Sequence, residues 1–268
     1  MLHPQYIDRY SQPARLCWQG VIDALIAGHR LPRAAITDTV LVHGTNRLLN
    51  RSARIDGLGY VVKSVTVFPN NPAREQFLPS VQGICTVFDE YTGQVRALID
   101  SELLTYWKTA ADSVLGARLL GPAEPGHLLI FGAGQVARAL IDAYTTIFPS
   151  IATVTLCVRR LQSADWLRQK LSEDERRLTF ALRVSTDPAK VVPLADIVAT
   201  ATTSETPVLQ GDWLTAGAHV DLVGAYTVSM READDNTLQR GALYVDCSDT
   251  TVNQIGELVV PLASGAIK

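Results

Sequence analysis

His127-Leu-Leu-Ile-Phe-Gly132-Ala-Gly134-Gln135-Val136-Ala137 joins an apolar run to a helical pattern through a Gly-x-Gly-x-x-Ala turn. A strand, a tight turn and a helix in that order form a dinucleotide-binding element. Gly132 permits the turn, Gly134 lets the backbone approach a pyrophosphate, and Ala137 lets the helix pack near the strand. The N–H groups of Gln135 and Val136 open the helix, where its dipole favours phosphate. Apolar runs recur at Thr153–Val158, Ala195–Ala201, His219–Gly224 and Leu243–Asp246, separated by longer polar or amphipathic stretches. That rhythm predicts a parallel sheet with crossover helices, a doubly wound α/β domain of Rossmann type.

The end of the second of these strands bears on the cofactor. An NAD site usually places an acid roughly 20 residues beyond the glycines, on the ribose 2′-hydroxyl. Here the strand runs out into Val158-Arg159-Arg160 with no acid at its tip. Guanidinium groups pair with a 2′-phosphate, so NADP(H) is expected, with NAD(H) as the alternative if both arginines are merely solvated. Thr202 and Thr203 at one strand end, and Val223 and Gly224 at another, are expected to border the nicotinamide.

With 268 residues, two domains is the natural count. Hydrophobic residues make up 47% and charged residues 19%, which supplies substantial cores and argues against general disorder. A formal net charge of −3 and the lack of a basic block give no reason to expect nucleic acid or an anionic membrane as partner. Cys17, Cys85, Cys157 and Cys247 are scattered, without metal-ligand spacing, and are expected as buried reduced thiols. Met1-Leu-His-Pro-Gln-Tyr6 has no signal-like pattern and no apolar run is long enough to cross a bilayer, so a cytoplasmic protein is expected.

Upstream of the glycines, residues from about 15 to 28 place apolar side chains at helical spacing and stop at Gly28. Strand-like stretches follow at Val40–Val42, Gly59–Phe68, Gly83–Asp89 and Val95–Ile99, with Asp89–Gly93 as a hairpin turn. A mixed or antiparallel sheet with a helix on it is expected, giving a smaller α+β domain. Leu104–Leu120 reads as a linking helix with Thr105 as its N-cap, and Ala110, Ala111 and Ser113 permit close backbone approach. The expected division is a substrate-binding and dimerisation domain over 1–112, a nucleotide domain over 113–255 and a C-terminal segment over 256–268.

Five motifs in order carry a family resemblance: Val62-Lys63 through Phe68-Pro69-Asn70; Thr105-Tyr-Trp-Lys108-Thr-Ala-Ala111; the glycine turn; Ala195-Asp-Ile-Val; and Gly224-Ala-Tyr-Thr-Val-Ser-Met230-Arg231-Glu232. The chain resembles the ornithine cyclodeaminase and mu-crystallin family of NAD(P)-dependent enzymes. The resemblance implies a homodimer whose first domain holds a small cyclic imino-acid or amino-acid substrate through cations. By position these are Lys63, Lys108 and Arg51, with Lys63 and Lys108 in catalytic roles. Lys108 stands where many members have arginine, supplying charge without a bidentate fork. Asp112 either fixes Lys108 or sits on a solvated helix face.

Two further departures shape the expected activity. Cyclodeaminases of the family carry an aspartate after the Val-Gly-Gly or Val-Gly-Ala element, whereas this chain has Val223-Gly224-Ala225-Tyr226. Without that general base, reduction of a preformed C=N bond is favoured over deamination with ring closure. The pattern is thus similar to the ketimine reductases, including those acting on Δ1-pyrroline-2-carboxylate and Δ1-piperideine-2-carboxylate. Ornithine or lysine cyclodeamination with bound NAD, and small-molecule binding without catalysis, are the alternatives. Family members usually run roughly another 50 residues past the Gly256-Glu-Leu-Val-Val-Pro-Leu262 element; here the C-terminal segment, expected to return toward the first domain, is short. His219 begins the strand carrying Asp221, on the expected nicotinamide side, either as a satisfied polar histidine or as an acid-base group. Met230-Arg231-Glu232 is read as a turn with an ion pair.

Overall fold

The computed structural model describes residues 4–8, 10–11, 16–71, 78–173 and 179–268. The chain divides into two compact units, Met1–Lys108 and Thr109–Lys268.

In the first unit β-branched and polar residues alternate irregularly along long strands. β1 (Gln5–Ile7), β2 (Ala35–His43), β3 (Asn46–Ile55), β4 (Gly59–Val67), β5 (Val81–Phe88) and β6 (Val95–Asp100) form one sheet in the order β1-β6-β5-β4-β3-β2. Every pair is antiparallel except β1 with β6, so the sheet is mixed. The turn between β5 and β6 forms at Asp89–Gly93 as expected: Asp89 Oδ1 accepts from the Tyr91 and Thr92 N–H groups, and Gly93 takes a left-handed φ of 67°. β3 was not foreseen, because Asn, Arg and Ser interrupt its apolar positions and no period of two stands out. α1 (Trp18–His29) begins after Cys17, three residues later than expected, and runs one past Gly28; Arg15 lies outside the described residues. Its buried face is Trp18 and Ile22, and the Trp18 ring packs against that of Trp107, tilted by 39° with centroids 4.2 Å apart.

Trp107 lies on α2 (Ser101–Leu120), within which the two units divide. The helix starts earlier than expected. Asp100 Oδ1 accepts from the Glu102 and Leu103 N–H groups, satisfying the first turn, so Thr105 is an interior residue and not the cap.

The second unit holds a wholly parallel sheet of β7 (His127–Phe131), β8 (Thr153–Cys157), β9 (Ala181–Ser185), β10 (Ile197–Thr200) and β11 (His219–Leu222), ordered β11-β10-β7-β8-β9. α3 (Gln135–Ile147) and α4 (Asp165–Glu173) follow β7 and β8. The short helices α5 (Pro188–Val191), α6 (Asp235–Arg240) and α7 (Ser248–Thr251), with α8 (Gly256–Ser264), complete the unit. From β7 the chain builds outward through β8 and β9, then returns to place β10 on the other side. The direction of strand addition therefore reverses between β7 and β10, where doubly wound sheets bind ligands. Leu243–Asp246 does not form the expected strand: Leu243, Tyr244 and Val245 are exposed and pair with no strand among the described residues. A short apolar run becomes a strand only where a partner is available for its backbone. Edge strand β9 was missed for the converse reason, its polar Arg183 and Ser185 masking it.

Cys85 and Cys157 are buried, whereas Cys17, expected inside, is exposed and Cys247 is half-buried. No helix among the described residues is long and apolar enough to cross a membrane.

Candidate active site

The glycine turn follows β7 at the reversal point. Gly132 has φ of 109°, a left-handed conformation suited to glycine, and a Cβ there would lie 2.6 Å from the Ala201 carbonyl oxygen. Gly134 behaves differently: a Cβ there would meet nothing within 4 Å. The N-terminus of α3 has no side-chain cap and no acid in its first turn, so the N–H groups from Gln135 and Val136 onward open a site for an anion. Ala137 is fully buried under the helix. Space at Gly134 and an uncapped helix start fit a dinucleotide pyrophosphate. The Gly132 N–H donates to the Cys157 carbonyl, which ties the turn to the end of β8, and Arg159 and Arg160 follow within three residues, both exposed.

The ends of β10 and β11 are joined by a residue the sequence reading gave another role. Glu232 is completely buried. Its Oε1 accepts from the Thr202 N–H at 2.7 Å and Thr202 Oγ1 at 2.6 Å; its Oε2 accepts from Thr200 Oγ1 at 2.7 Å and the Gly224 N–H at 2.6 Å. Gly224 is packed so closely that a Cβ would fall 2.2 Å from the Thr202 carbonyl oxygen. Val223 donates its N–H to Thr200, and Thr203 is exposed beside this group. Glu232 is in turn held by Glu257 on α8, whose carboxylate accepts from the Glu232 and Ala233 N–H groups at 2.7 and 2.9 Å. Burial raises the Glu257 carboxyl above the ordinary range. The expected ion pair exists, but between Arg231 and Asp235.

In the first unit, strand register assembles the cations. Asp38 on β2 lies opposite Arg51 on β3, Arg51 opposite Lys63 on β4, and Lys63 opposite Cys85 on β5. Residues directly opposite share a face of the sheet. Arg51 donates Nε to Asp38 Oδ1 at 2.8 Å and Nη2 to Oδ2 at 2.7 Å, a bidentate pair that holds the Asp38 carboxyl below its usual range. Lys63 is half-buried. Desolvation lowers its ammonium below the ordinary lysine range; the Cys85 thiol opposes this, and the Lys108 and Arg51 charges add to it. Lys63 thus feels the charges of both other cations that the sequence nominates. Asp38 was missed because only the β2–β3 register brings it to Arg51.

The model of the ornithine cyclodeaminase/mu-crystallin family matches residues 50–265. The chain belongs to this family. A Δ1-pyrroline-2-carboxylate reductase of Paracoccus denitrificans is 48% identical over 264 residues, covering 98% of this chain and 82% of the relative. A second, from Colwellia psychrerythraea, is 36% identical over 204 residues, 76% of this chain and 63% of its own length. The structure of the Thermococcus litoralis Δ1-pyrroline-2-carboxylate reductase, determined with NADH and L-proline, superimposes with a TM-score of 0.87 at 23% identity, covering 98% of this chain and 82% of that one, and establishes the shared fold.

In this member of the family, His219 does not lie at the sheet edge where the glycine turn opens. It is level with Ile197 and Leu128, at the N-terminal edge of the sheet, whereas the glycine turn leaves the C-terminal edge after Phe131. Parallel register alone puts the length of a strand between them, about 13 Å. Burial lowers the His219 imidazole below its usual range, consistent with a neutral packed ring. Asp221, two residues on, accepts from the fully buried Tyr144 hydroxyl at 3.0 Å, and burial pushes its carboxyl up to about 6.

Proposed function

We propose that this protein reduces the C=N bond of cyclic ketimino acids, Δ1-pyrroline-2-carboxylate to proline and Δ1-piperideine-2-carboxylate to pipecolate, with NADPH as reductant. It is an NAD(P)H-dependent oxidoreductase acting on C=N bonds. The observation that carries the substrate class is the cation row: Lys63 sits half-buried opposite Arg51, and desolvation first, then the Lys108 and Arg51 charges, lower its proton affinity. A carboxylate placed there offsets that repulsion and the desolvation of the ammonium. Arg51 already gives two nitrogens to Asp38, so Lys63 supplies the principal charge for the substrate carboxylate and Lys108 adds to it. The half-buried ammonium is also a stronger acid than an exposed lysine, which suits it to hold or deliver the proton on the imine nitrogen.

Gln135 and Val136 N–H groups and the space over Gly134 hold the pyrophosphate, and Arg159 and Arg160 face the 2′-phosphate. Thr202, Val223 and Gly224 border the nicotinamide. When bound, the dihydronicotinamide supplies a hydride to the imine carbon next to the carboxylate. Tyr226 stands where cyclodeaminases have their aspartate, and it is exposed, so no carboxylate at that position serves ring closure. The first unit acts as substrate and dimerisation domain, a homodimer being supported by the exposed apolar residues Val40, Leu41 and Val42 of β2.

The test is NADPH oxidation, followed by absorbance, with the two cyclic imines offered separately and NADH compared. Turnover with either imine supports the proposal and ranks the rings. Cofactor binding without turnover of either favours a binding protein, and release of ammonia from ornithine favours a cyclodeaminase.

A further inference from the structure

Four hydrogen bonds converge on the Glu232 carboxylate from two strand ends, and every partner is a donor. Thr200 and Thr202 come from the end of β10, Gly224 from the end of β11, and neither segment is within 8 residues of Glu232 in sequence except Gly224 itself. A fully buried carboxylate is costly to desolvate, and donors from several directions are what make it tolerable. A fold needing only to join two neighbouring parallel strands already has their ladder, here Ile197 to Thr200 against His219 to Leu222. The carboxylate acts beyond that ladder, on the residues that leave the sheet. It is itself fixed by a second buried carboxylate, Glu257, through the backbone N–H groups of Glu232 and Ala233.

We infer that Glu232 is a positioning residue for the nicotinamide half of the cofactor: it holds the Thr202 and Gly224 backbones as one rigid rim, and Glu257 holds Glu232. This rests on the assignment of Thr202 and Gly224 to the nicotinamide made above. The adenosine half is held elsewhere, by the glycine turn and the end of β8, where Glu232 makes none of these contacts. The two halves of the dinucleotide therefore respond differently to loss of the clamp.

The experiment measures binding of NADPH and of 2′-phospho-ADP-ribose, which lacks the nicotinamide, to the wild type, Glu232→Gln and Thr200→Val. The Gln amide turns a donor toward two of the four donors. Thr200→Val deletes one hydroxyl donor and keeps the side-chain shape; Thr200 is fully buried. The expected result is NADPH binding weakened on the order of tenfold or more in Glu232→Gln and about threefold in Thr200→Val, with the fragment changed by less than about twofold in both. Equal weakening of NADPH and fragment overturns the inference and makes the network a scaffold. Unchanged NADPH binding in Thr200→Val overturns it as well, and that variant decides the matter if Glu232→Gln does not fold. Failure of the wild type to bind either compound is a different result, which removes the cofactor assignment itself.

Discussion

Leu128, Leu129, Ile130, Val154, Leu156, Ile197 and Val198 are fully withdrawn from solvent in the second unit, whereas every residue of β2 in the first unit is exposed. Among the described residues the first unit contributes only Trp18, Ile22, Val65, Cys85 and Leu103 to the buried apolar side chains. A parallel sheet covered by crossover helices spends both faces on packing, so its chemistry is confined to the loops at its C-terminal edge. The mixed sheet of the first unit leaves a face on which polar side chains stand in rows, and there the strands themselves carry the charged groups. The difference teaches where substitutions should change function: at loop ends in one unit, within strands in the other.

The sharpest way to break this comparison is Lys63→Ala, a change within a strand. The expected effect is a fall in kcat/KM for cyclic ketimines on the order of 100- to 1000-fold, with NADPH binding changed by less than about twofold. If KM alone rises, Lys63 binds the ground state; if kcat also falls, it acts in the transition state. Unchanged kcat/KM would take the cation row out of the site. The same lysine gives a pH signature. Because burial lowers its proton affinity, the ammonium is present at low pH and lost on the alkaline side sooner than an ordinary lysine. KM should therefore climb there in the wild type, and Lys63→Arg should move that limb upward.

Next is a contrast at the loop end of the other sheet. Gly134→Ala fills the open space over the pyrophosphate site and should weaken cofactor binding about 100-fold while costing the free protein no more than about 1 kcal/mol. Gly224→Ala must push against the Thr202 backbone and should cost about 1–3 kcal/mol of stability, read from denaturant unfolding. Equal behaviour of the two would mean that the glycine turn is only a packing device. A smaller effect is expected from replacing Arg159 and Arg160 with Ala: NADPH binding weakened about tenfold or more, with NADH within about threefold. Parallel losses for the two cofactors would remove the arginines from the 2′-phosphate.

The turn and β7 were legible because a left-handed glycine is a local requirement, written at one position. The first unit was less so. β3 carries its polar residues on positions that only pairing explains, and the Asp38–Arg51 pair depends on a register that no short window contains. Glu232 was visible as part of a motif, but its partners lie as far as 32 residues away and two of the four are backbone N–H groups, which every residue type offers. Leu243–Asp246 shows the opposite failure, a strand-like composition with no partner for its backbone. His219 and Asp221 were placed by strand membership, when the end of the strand mattered.

The smallest predicted effect concerns Asp221. Its carboxyl is raised from 3.8 to about 6 in the folded protein, so the native state binds more protons than the unfolded chain across that interval. This group's contribution to stability therefore falls as pH rises from about 4 through about 6. Asp221→Asn should remove that slope and raise the melting temperature at pH 7 by a few degrees; an unaltered difference between pH 5 and pH 7 would show that Asp221 titrates normally.

The line Asp38, Arg51, Lys63, Cys85 is set by backbone ladders, so its spacing repeats at the interstrand distance of about 4.8 Å. Side-chain rotamers adjust the tips, but the hydrogen-bonded sheet is the ruler. A slip of one residue between β3 and β4 would send Lys63 to the opposite face from Arg51. The spacing of these charges is thus a property of strand alignment, and mutations in the hairpin turns that set the register can change it without touching a single cation.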